Sequence, residues 1–591
     1  MSEPLSSPLP AKPWPAKPWP AMSIAEAHAR LSAPGARFET ETRVIRGIST
    51  RVFKNAPPTL RHLFETGRGF GHERTFIVYE DERASYEAFA RATLAIAADL
   101  TARGLTKGDR VAVVMRNLPE WVASFHAAAM LGAVVTPLNA WWTGAELEYG
   151  LADSGSRFAL MDHERYERLE GRLHACPALE HVYVTRAPGP LENSMASRLE
   201  DLIGPVNAWG DLPDRPTPTT PLEPDDDAAI CYTSGTTGRP KGAILTHRNI
   251  TTNVMSGAIA QARRYLRRGE PPPAPDPAVQ RTTLLVVPLF HVTGLCSNLG
   301  PLMNMGGKLV LMHRWDAGKA LGLIERERVN QTGGVPTIAW QLIEHPDRPN
   351  YDLSSLDGLS YGGAPSAPEL VRLIRQVFPS AAPGNAWGMT ETSATFTGHA
   401  GEDYEHRPWS CGVANPTGEL KVIDGEGRLL PTGQVGELCA KGPQVVRGYW
   451  NKPEATAATF EDGWVKTGDL GSIDAEGFVT ISDRAKDMLI RGGENIYCIE
   501  VENALYAHPA VMDAALIGRP HRTLGEEPVA VVALSPGASA TEDELRDFVR
   551  ARLAAFKVPV AVHFWPEMLP RNPNGKILKT ELKTLIHPEA A

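Results

Sequence analysis

Between about Arg51 and Leu222, short apolar runs alternate with longer helical stretches. RVAVVM (Arg110 to Met115) and AVVTPL (Ala133 to Leu138) read as strands, with a helix over Glu120 to Leu131 between them. Strand, helix, strand at this spacing predicts a βαβ unit in a mostly parallel sheet. The pattern recurs in Leu284 to Val287, Lys308 to Met312, Gln331 to Val335 and Leu356 to Tyr361, with helices expected at Ala317 to Arg328 and Ala367 to Phe378. An α/β architecture therefore runs to about residue 395.

After Pro416 the text changes to short strands with frequent glycine, as in GELKVIDGEGRLLPTGQVGELCAKG, which predicts a β meander or small barrel. Beyond Asp483 comes a smaller unit whose clearest helix starts at Thr541. Thr541 and Glu544 make a capping box, Leu545, Phe548, Val549 and Leu553 line one face, and Pro559 follows the end. The expected fold class is α/β. It has a large domain of doubly wound sheets plus a small β-barrel over residues 36–484, the β-rich part being about 400–484, and a smaller α+β domain over 485–591. Residues 1–35, with PAKPW twice, are expected to form a disordered proline-rich tail. Leu212 to Pro224 and Gly269 to Pro277 read as surface loops. Arg263, Arg264, Arg267 and Arg268 read as a solvated helix face, the alternative being contact with an anionic partner.

Composition narrows the function classes. Of 591 residues, 42% are hydrophobic and 22% charged, a globular balance that rules out wholesale disorder. A formal charge of -9 disfavours nucleic acid as the main partner, so any anionic ligand must be gripped locally. Six cysteines without a CxxC pair fit neither a disulfide framework nor a zinc site and point to a reducing cytoplasm. The apolar run Phe125 to Leu138 is too short for a membrane span, and the N-terminal residues lack the apolar core of a secretory signal.

The most informative stretch is TSGTTGRPKG, Thr233 to Gly242, after the strand expected at Ala228 to Tyr232. Its glycines allow close backbone approach, its hydroxyls donate to oxygen, and Lys241 supplies positive charge, as a phosphate cradle requires. On composition alone, a polar glycine-rich turn explains it equally well. It is not a Walker loop, because Gly242 follows Lys241 where Ser or Thr is needed. Nor is it a serine-hydrolase elbow, because Tyr232 and Thr236 flank Ser234 where glycines are needed.

With that cradle, the chain resembles the adenylate-forming enzymes, the family of acyl-CoA synthetases, adenylation domains of peptide synthetases and beetle luciferases. Further blocks follow in order: PLFHVTG, YGGAP, NAWGMTET, GWVKTGDL, DRAKDMLIRGGENIY and LPRNPNGKILK, together covering about residues 50 to 580. The resemblance implies that Thr233, Ser234, Gly235, Thr236, Thr237, Gly238 and Lys241 hold ATP phosphates. Gly363, Ala364 and Pro365 wall the adenine, and Asn385, Ala386, Trp387, Gly388 and Met389 continue the nucleotide site, with Trp387 stacked on the base where the family usually has Tyr or Phe. It further implies Thr390 at the α phosphate, Glu391 on Mg2+, Asp469 on the ribose hydroxyls and Arg484 beside them. Lys576 is the implied catalytic cation, Lys486 the hinge about which the small domain rotates, and Arg491, Gly492 and Gly493 the face used with coenzyme A. His291 falls near the acyl pocket and thiol route, with a structural histidine at a strand end as the alternative.

The implied reaction is carboxylate plus ATP to an acyl adenylate and pyrophosphate, then coenzyme A attack to give acyl-CoA and AMP. The blocks look most like the fatty-acid and related hydrophobic-acid CoA ligases. Leu295, Leu299, Leu302, Met303 and Met305 suit an adaptable acyl pocket, though a core helix explains them as well. A freestanding enzyme loading a carrier protein and a luciferase-like oxygenase share the first half-reaction. The expected partners are small molecules, with a homodimer left open.

Overall fold

The computed structural model describes residues 19–233, 239–274, 276, 278–363, 366, 368–572 and 575–586. Two large sheets form the first part of the chain. One has seven strands in the spatial order 242–246, 227–232, 134–137, 110–114, 158–162, 181–185, 196–198, parallel except for the first pair. The other has nine, in the order 413–414, 394–400, 382–389, 358–362, 331–334, 282–285, 308–311, 75–79, 82–85. Strands such as Arg110–Val114 and Phe158–Asp162 are apolar on both faces because helices cover both sides, which explains their unbroken hydrophobic text. The helices Leu60–Arg68, Tyr86–Ala102 and Pro119–Met130 share one core with both sheets.

The strand expected from Leu356 begins instead at Gly358, after Leu356 closes a turn onto the Leu353 carbonyl. The 290–307 segment carries the residues expected either to wall an acyl pocket or to form a core helix. Leu295, Leu299, Leu302 and Met303 are all buried in the main core, and Met305 points outward with 46% of its surface exposed.

Two expectations about the surface are corrected. Residues 1–18 of the proline-rich tail lie outside the described residues, but Ile24–Leu31 is a helix, capped by Ser23 and Glu26 in a reciprocal box. Ala27 and Leu31 pack with Phe38 and Phe53 on Met255, Ile259, Ala262 and Leu266 of the long helix His247–Arg267. The arginine cluster at that helix's end is not solvated. Arg267 is buried and donates to Asp403 at 2.7 Å and to the Met22 carbonyl at 2.8 Å. Arg263 is buried beside His28, and Arg264 and Arg268 both pair with Glu402. Breaking a buried pair such as Arg267–Asp403 by deleting one partner costs about 3–5 kcal/mol.

A five-stranded antiparallel sheet over residues 419–484 follows and has its own core around Val422, Leu438, Val465 and Val479. A last mixed sheet, spanning 489–565, is covered by the helices Cys498–Tyr506, Glu542–Arg550 and Lys579–Ile586 and encloses two further clusters. The capping box of Thr541 and Glu544 is present. Among the described residues, no helix is long and apolar enough to cross a membrane.

Candidate active site

The expected cradle begins where the strand Asp227–Tyr232 ends. Ser234, Gly235, Thr236, Thr237 and Gly238 lie outside the described residues, but both flanks are in place: the Thr233 N–H donates to the Lys241 carbonyl at 2.8 Å, closing the mouth of the loop. The Lys241 ammonium stands 5.1 Å from the centre of the Tyr449 ring. The Tyr449 hydroxyl donates to Glu391 Oε1 at 2.6 Å, so the lysine and the carboxylate meet through one phenol. Glu391 is buried, which raises its carboxyl pKa against the opposing effects of the Tyr449 hydrogen bond, Arg484 and Lys241.

Thr390, Glu391 and Thr392 form a single helical turn after the strand Ala382–Met389. Ser393 and Ala394 then adopt left-handed φ of 52° and 85°, two non-glycine residues in a costly conformation. Asn253 from the long helix holds this turn by donating to the Ser393 carbonyl at 2.8 Å. Gly388 is obligatory here, since a Cβ would lie 1.8 Å from the Ala394 carbonyl oxygen.

On the nucleotide side, Asn385 donates to the Ser410 carbonyl at 3.2 Å, and Ala386 pairs in register with Gly362. Gly363 has φ of +73° and open space where a side chain would stand; Ala364 and Pro365 lie outside the described residues. Met389 begins the helical turn, its N–H on the Thr392 hydroxyl. Trp387 is buried edge-on against Phe396, and its indole N–H donates to Asp469 Oδ2 at 2.8 Å. The other oxygen of Asp469 faces Arg484 Nε at 3.2 Å, the two residues standing opposite each other on neighbouring strands of the five-stranded sheet.

The C-terminal unit brings Lys576 to this place. The loop carrying it turns back at Gly575, whose φ is +75° and where a Cβ would sit 2.6 Å from Val335 Cγ2 of the large domain. Lys576 donates its backbone N–H to Asn572 Oδ1 at 3.0 Å. Burial pushes the Lys576 pKa down to about 8; Arg484 and Lys486 push the same way, while Asp487 and Asp469 oppose them. Lys486, whose side chain is exposed beside this group, is also lowered, chiefly by desolvation. Arg491, Gly492 and Gly493 are not part of this gathering. Gly492 and Gly493 form an exposed two-residue hairpin tip with φ of +60° and +87°, and Arg491, half-buried on the strand before it, donates to the Phe556 carbonyl.

His291 opens a π-helical stretch, Thr293–Leu299. Its Nδ1 accepts from the Thr293 N–H at 3.2 Å, and burial lowers its pKa to about 4, so the ring is neutral at physiological pH. The half-buried face of that stretch is polar: Thr293, Ser297 and Asn298, with Ser297 Oγ 2.9 Å from Thr395 Oγ1. This joins the His291 segment to the strand that leaves Glu391.

Among the described residues, no three His, Cys, Asp or Glu side chains are grouped to hold a metal ion. Glu391 fits a hard cation that takes one protein carboxylate and draws its other ligands from phosphate and water. Tyr449, Asn253 and the Trp387 N–H escape sequence reasoning. GYW gives no local sign of a partner at Glu391, 58 positions earlier.

Comparison with known proteins defines the class. Residues 63–450 match the family described as AMP-binding enzyme, and residues 500–576 match the AMP-binding enzyme C-terminal domain. The chain belongs to the AMP-binding enzyme family. Within it, the chain is an acid–thiol ligase of the adenylate-forming CoA ligase type. It is 35% identical over 499 residues to a feruloyl-CoA synthase of Amycolatopsis sp., covering 84% of this chain and 93% of that one. It is 33% identical over 532 residues to a long-chain-fatty-acid–CoA ligase of Bacillus subtilis (strain 168), covering 86% and 91%. The crystal structure of an anthranilate CoA ligase in complex with anthranoyl-AMP superposes with a TM-score of 0.80 at 25% identity, covering 90% of this chain and 98% of that one.

Proposed function

We propose that this enzyme activates a hydrophobic carboxylic acid, aliphatic or aromatic, by forming an acyl adenylate from ATP at the Glu391–Asp469–Lys576 site and passing the acyl group to coenzyme A. The observation that carries this reading is the placement of Lys576, a half-buried cation with a pKa held down to about 8 beside Arg484 and Lys486. An ammonium kept among like charges is relieved by anions, and both the carboxylate and the α phosphate are anions. Lys576 touches both as charge builds on the phosphoryl oxygens, and Lys241 and the 233–241 loop take the outer phosphates. Glu391 holds Mg2+, which neutralises phosphate charge when bound. Asp469 accepts from the ribose hydroxyls, Asn385 and Gly363 face the base, and Thr390 meets the α phosphate.

After pyrophosphate leaves, the unit from about residue 485 turns about Lys486, withdraws Lys576 and presents Arg491, Gly492 and Gly493 for thioester formation. In that step neutral His291 lies by the thiol route. The anthranoyl-AMP held by the anthranilate ligase supports the adenylate intermediate. The aromatic and long-chain acids in the names of the two relatives support the substrate class. The six unpaired, buried cysteines support a reducing, cytoplasmic setting.

The test is a screen of fatty, cinnamic and benzoic acids for CoA-dependent AMP release with the purified protein. At least one hydrophobic acid is expected to yield AMP and pyrophosphate in equal amounts. Formation of ADP, or inertness toward every acid, would overturn the proposal.

A further inference from the structure

We infer that Trp387 is a positioning residue for sugar recognition: its indole N–H fixes the Asp469 carboxylate so that the enzyme distinguishes ribose from 2′-deoxyribose in the nucleotide. This rests on the reading of Asp469 as the ribose acceptor given above. The two residues belong to different layers. Trp387 is on the strand Ala382–Met389 of the nine-stranded sheet, and Asp469 is on the strand Trp464–Ile473 of the five-stranded sheet. The 2.8 Å bond from Nε1 to Oδ2 crosses between them.

Both partners are largely buried, at 8% and 6% exposure, so water does not substitute freely for either. An indole N–H only donates, and an ionised carboxylate only accepts, which gives this pair a single possible polarity. With Trp387 on Oδ2 and Arg484 on Oδ1, each oxygen has one direction occupied and a lone pair left for a hydroxyl donor. The carboxylate plane is therefore set before a nucleotide arrives. A phenylalanine at 387 would keep an aromatic face but free that plane to rotate and leave Oδ2 without its donor. The ring of Trp387 is already packed edge-on to Phe396 at 6.2 Å, so its own orientation is fixed from the other side.

The experiment compares kcat/KM for ATP and 2′-deoxy-ATP in acid-dependent pyrophosphate exchange for the wild type, Trp387→Phe, Trp387→3-benzothienylalanine and Asp469→Asn. Benzothienylalanine keeps the bicyclic shape and lacks the N–H, so it remains informative if the phenylalanine variant folds poorly. The preference for ATP is expected to fall roughly tenfold in both Trp387 variants, the scale of one hydrogen bond to a charged group, and to collapse in Asp469→Asn. Equal loss with both nucleotides, leaving the preference at the wild-type value, would show that Trp387 only packs or stacks and would overturn the inference. A collapse in Asp469→Asn with no change in the benzothienylalanine variant would overturn it while sparing the role of Asp469. An unchanged preference in Asp469→Asn would remove the ribose reading itself, and this inference with it.

Discussion

The pKa of Lys576 yields a prediction in which catalysis and stability move in opposite directions. An ordinary lysine titrates at 10.5 and this one at about 8, so the folded protein opposes the ammonium by roughly 3 kcal/mol before any ligand binds. The side chain keeps some exposure, so solvent screening reduces the stability equivalent to about 1–2 kcal/mol. The sign follows from proton counting. Between pH 8 and 10.5 the unfolded chain binds the extra proton, so stability rises with pH across that window, and below pH 8 the penalty is fully present. Lys576→Ala removes the penalty, and the ligand-free variant is expected to be at least as stable as wild type at pH 7, the difference vanishing near pH 11. Its adenylation rate is expected to fall roughly a hundred- to a thousandfold. Acid-dependent pyrophosphate exchange isolates the first half-reaction from the titrating CoA thiol. Its kcat/KM reports the free enzyme, so wild-type activity is expected to decline as pH rises through about 8. In Lys576→Arg that decline moves out of range, because the guanidinium stays charged. A Lys576→Ala variant clearly destabilised at pH 7, together with an Arg variant that keeps the same basic limb, would refute the reasoning.

Two other predictions follow from contacts that hold the site. Tyr449→Phe removes the donor to Glu391 and is expected to raise the Mg2+ concentration for half-maximal pyrophosphate exchange about 10- to 100-fold, as loss of support behind a metal-bound carboxylate does; an unchanged metal requirement would deny Tyr449 this role. Deleting residues 1–18 is expected to leave the thermal midpoint unchanged. Deleting 1–35 uncovers the partners of Ile24 and Leu31 and strips Arg267 of the Met22 carbonyl, a loss of about 3–6 kcal/mol from the two side chains alone, read as a lower midpoint in the same assay.

The sheets were legible because strands covered on both faces leave unbroken apolar text, as in RVAVVM, and the ordered glycine-rich blocks marked the site. What sequence could not convey is which distant group answers a polar side chain. Arg267 meets Asp403 across 136 positions, and Trp387 meets Asp469 across 82, so a charge run that is normally solvated turned out to be interior. The reading of 1–35 as tail failed for a different reason. Its local signal was present: Ser23 and Glu26 stand three apart before an apolar-periodic stretch, a capping box as clear as that at Thr541. The prolines before it are the stronger local signal, and they point to an extended tail. Leu295, Leu299, Leu302 and Met303 show the converse limit, since a pocket wall and a core helix want the same residues, and only the fold decides which way the face turns.

The long helix His247–Arg267 explains why the site needs a polar spine rather than an oily one. Irregular backbone carries carbonyls with no ladder partner, and burying it requires donors from elsewhere. Asn249 donates to the carbonyls of Pro443 and Val445, Asn253 to that of Ser393, Arg263 to that of Gly398 and Arg267 to that of Met22. The first two span the segment leading to Tyr449, and the third secures the left-handed turn behind Glu391. One rigid element thus fixes Tyr449 and Glu391 from the same side, while its far end is clamped by Asp403 and the helix Ile24–Leu31. Because Asn249 and Asn253 are buried and paired, replacing either with an apolar residue leaves a carbonyl unsatisfied near the chemistry. The cost then falls on the geometry of the phosphate side as well as on stability.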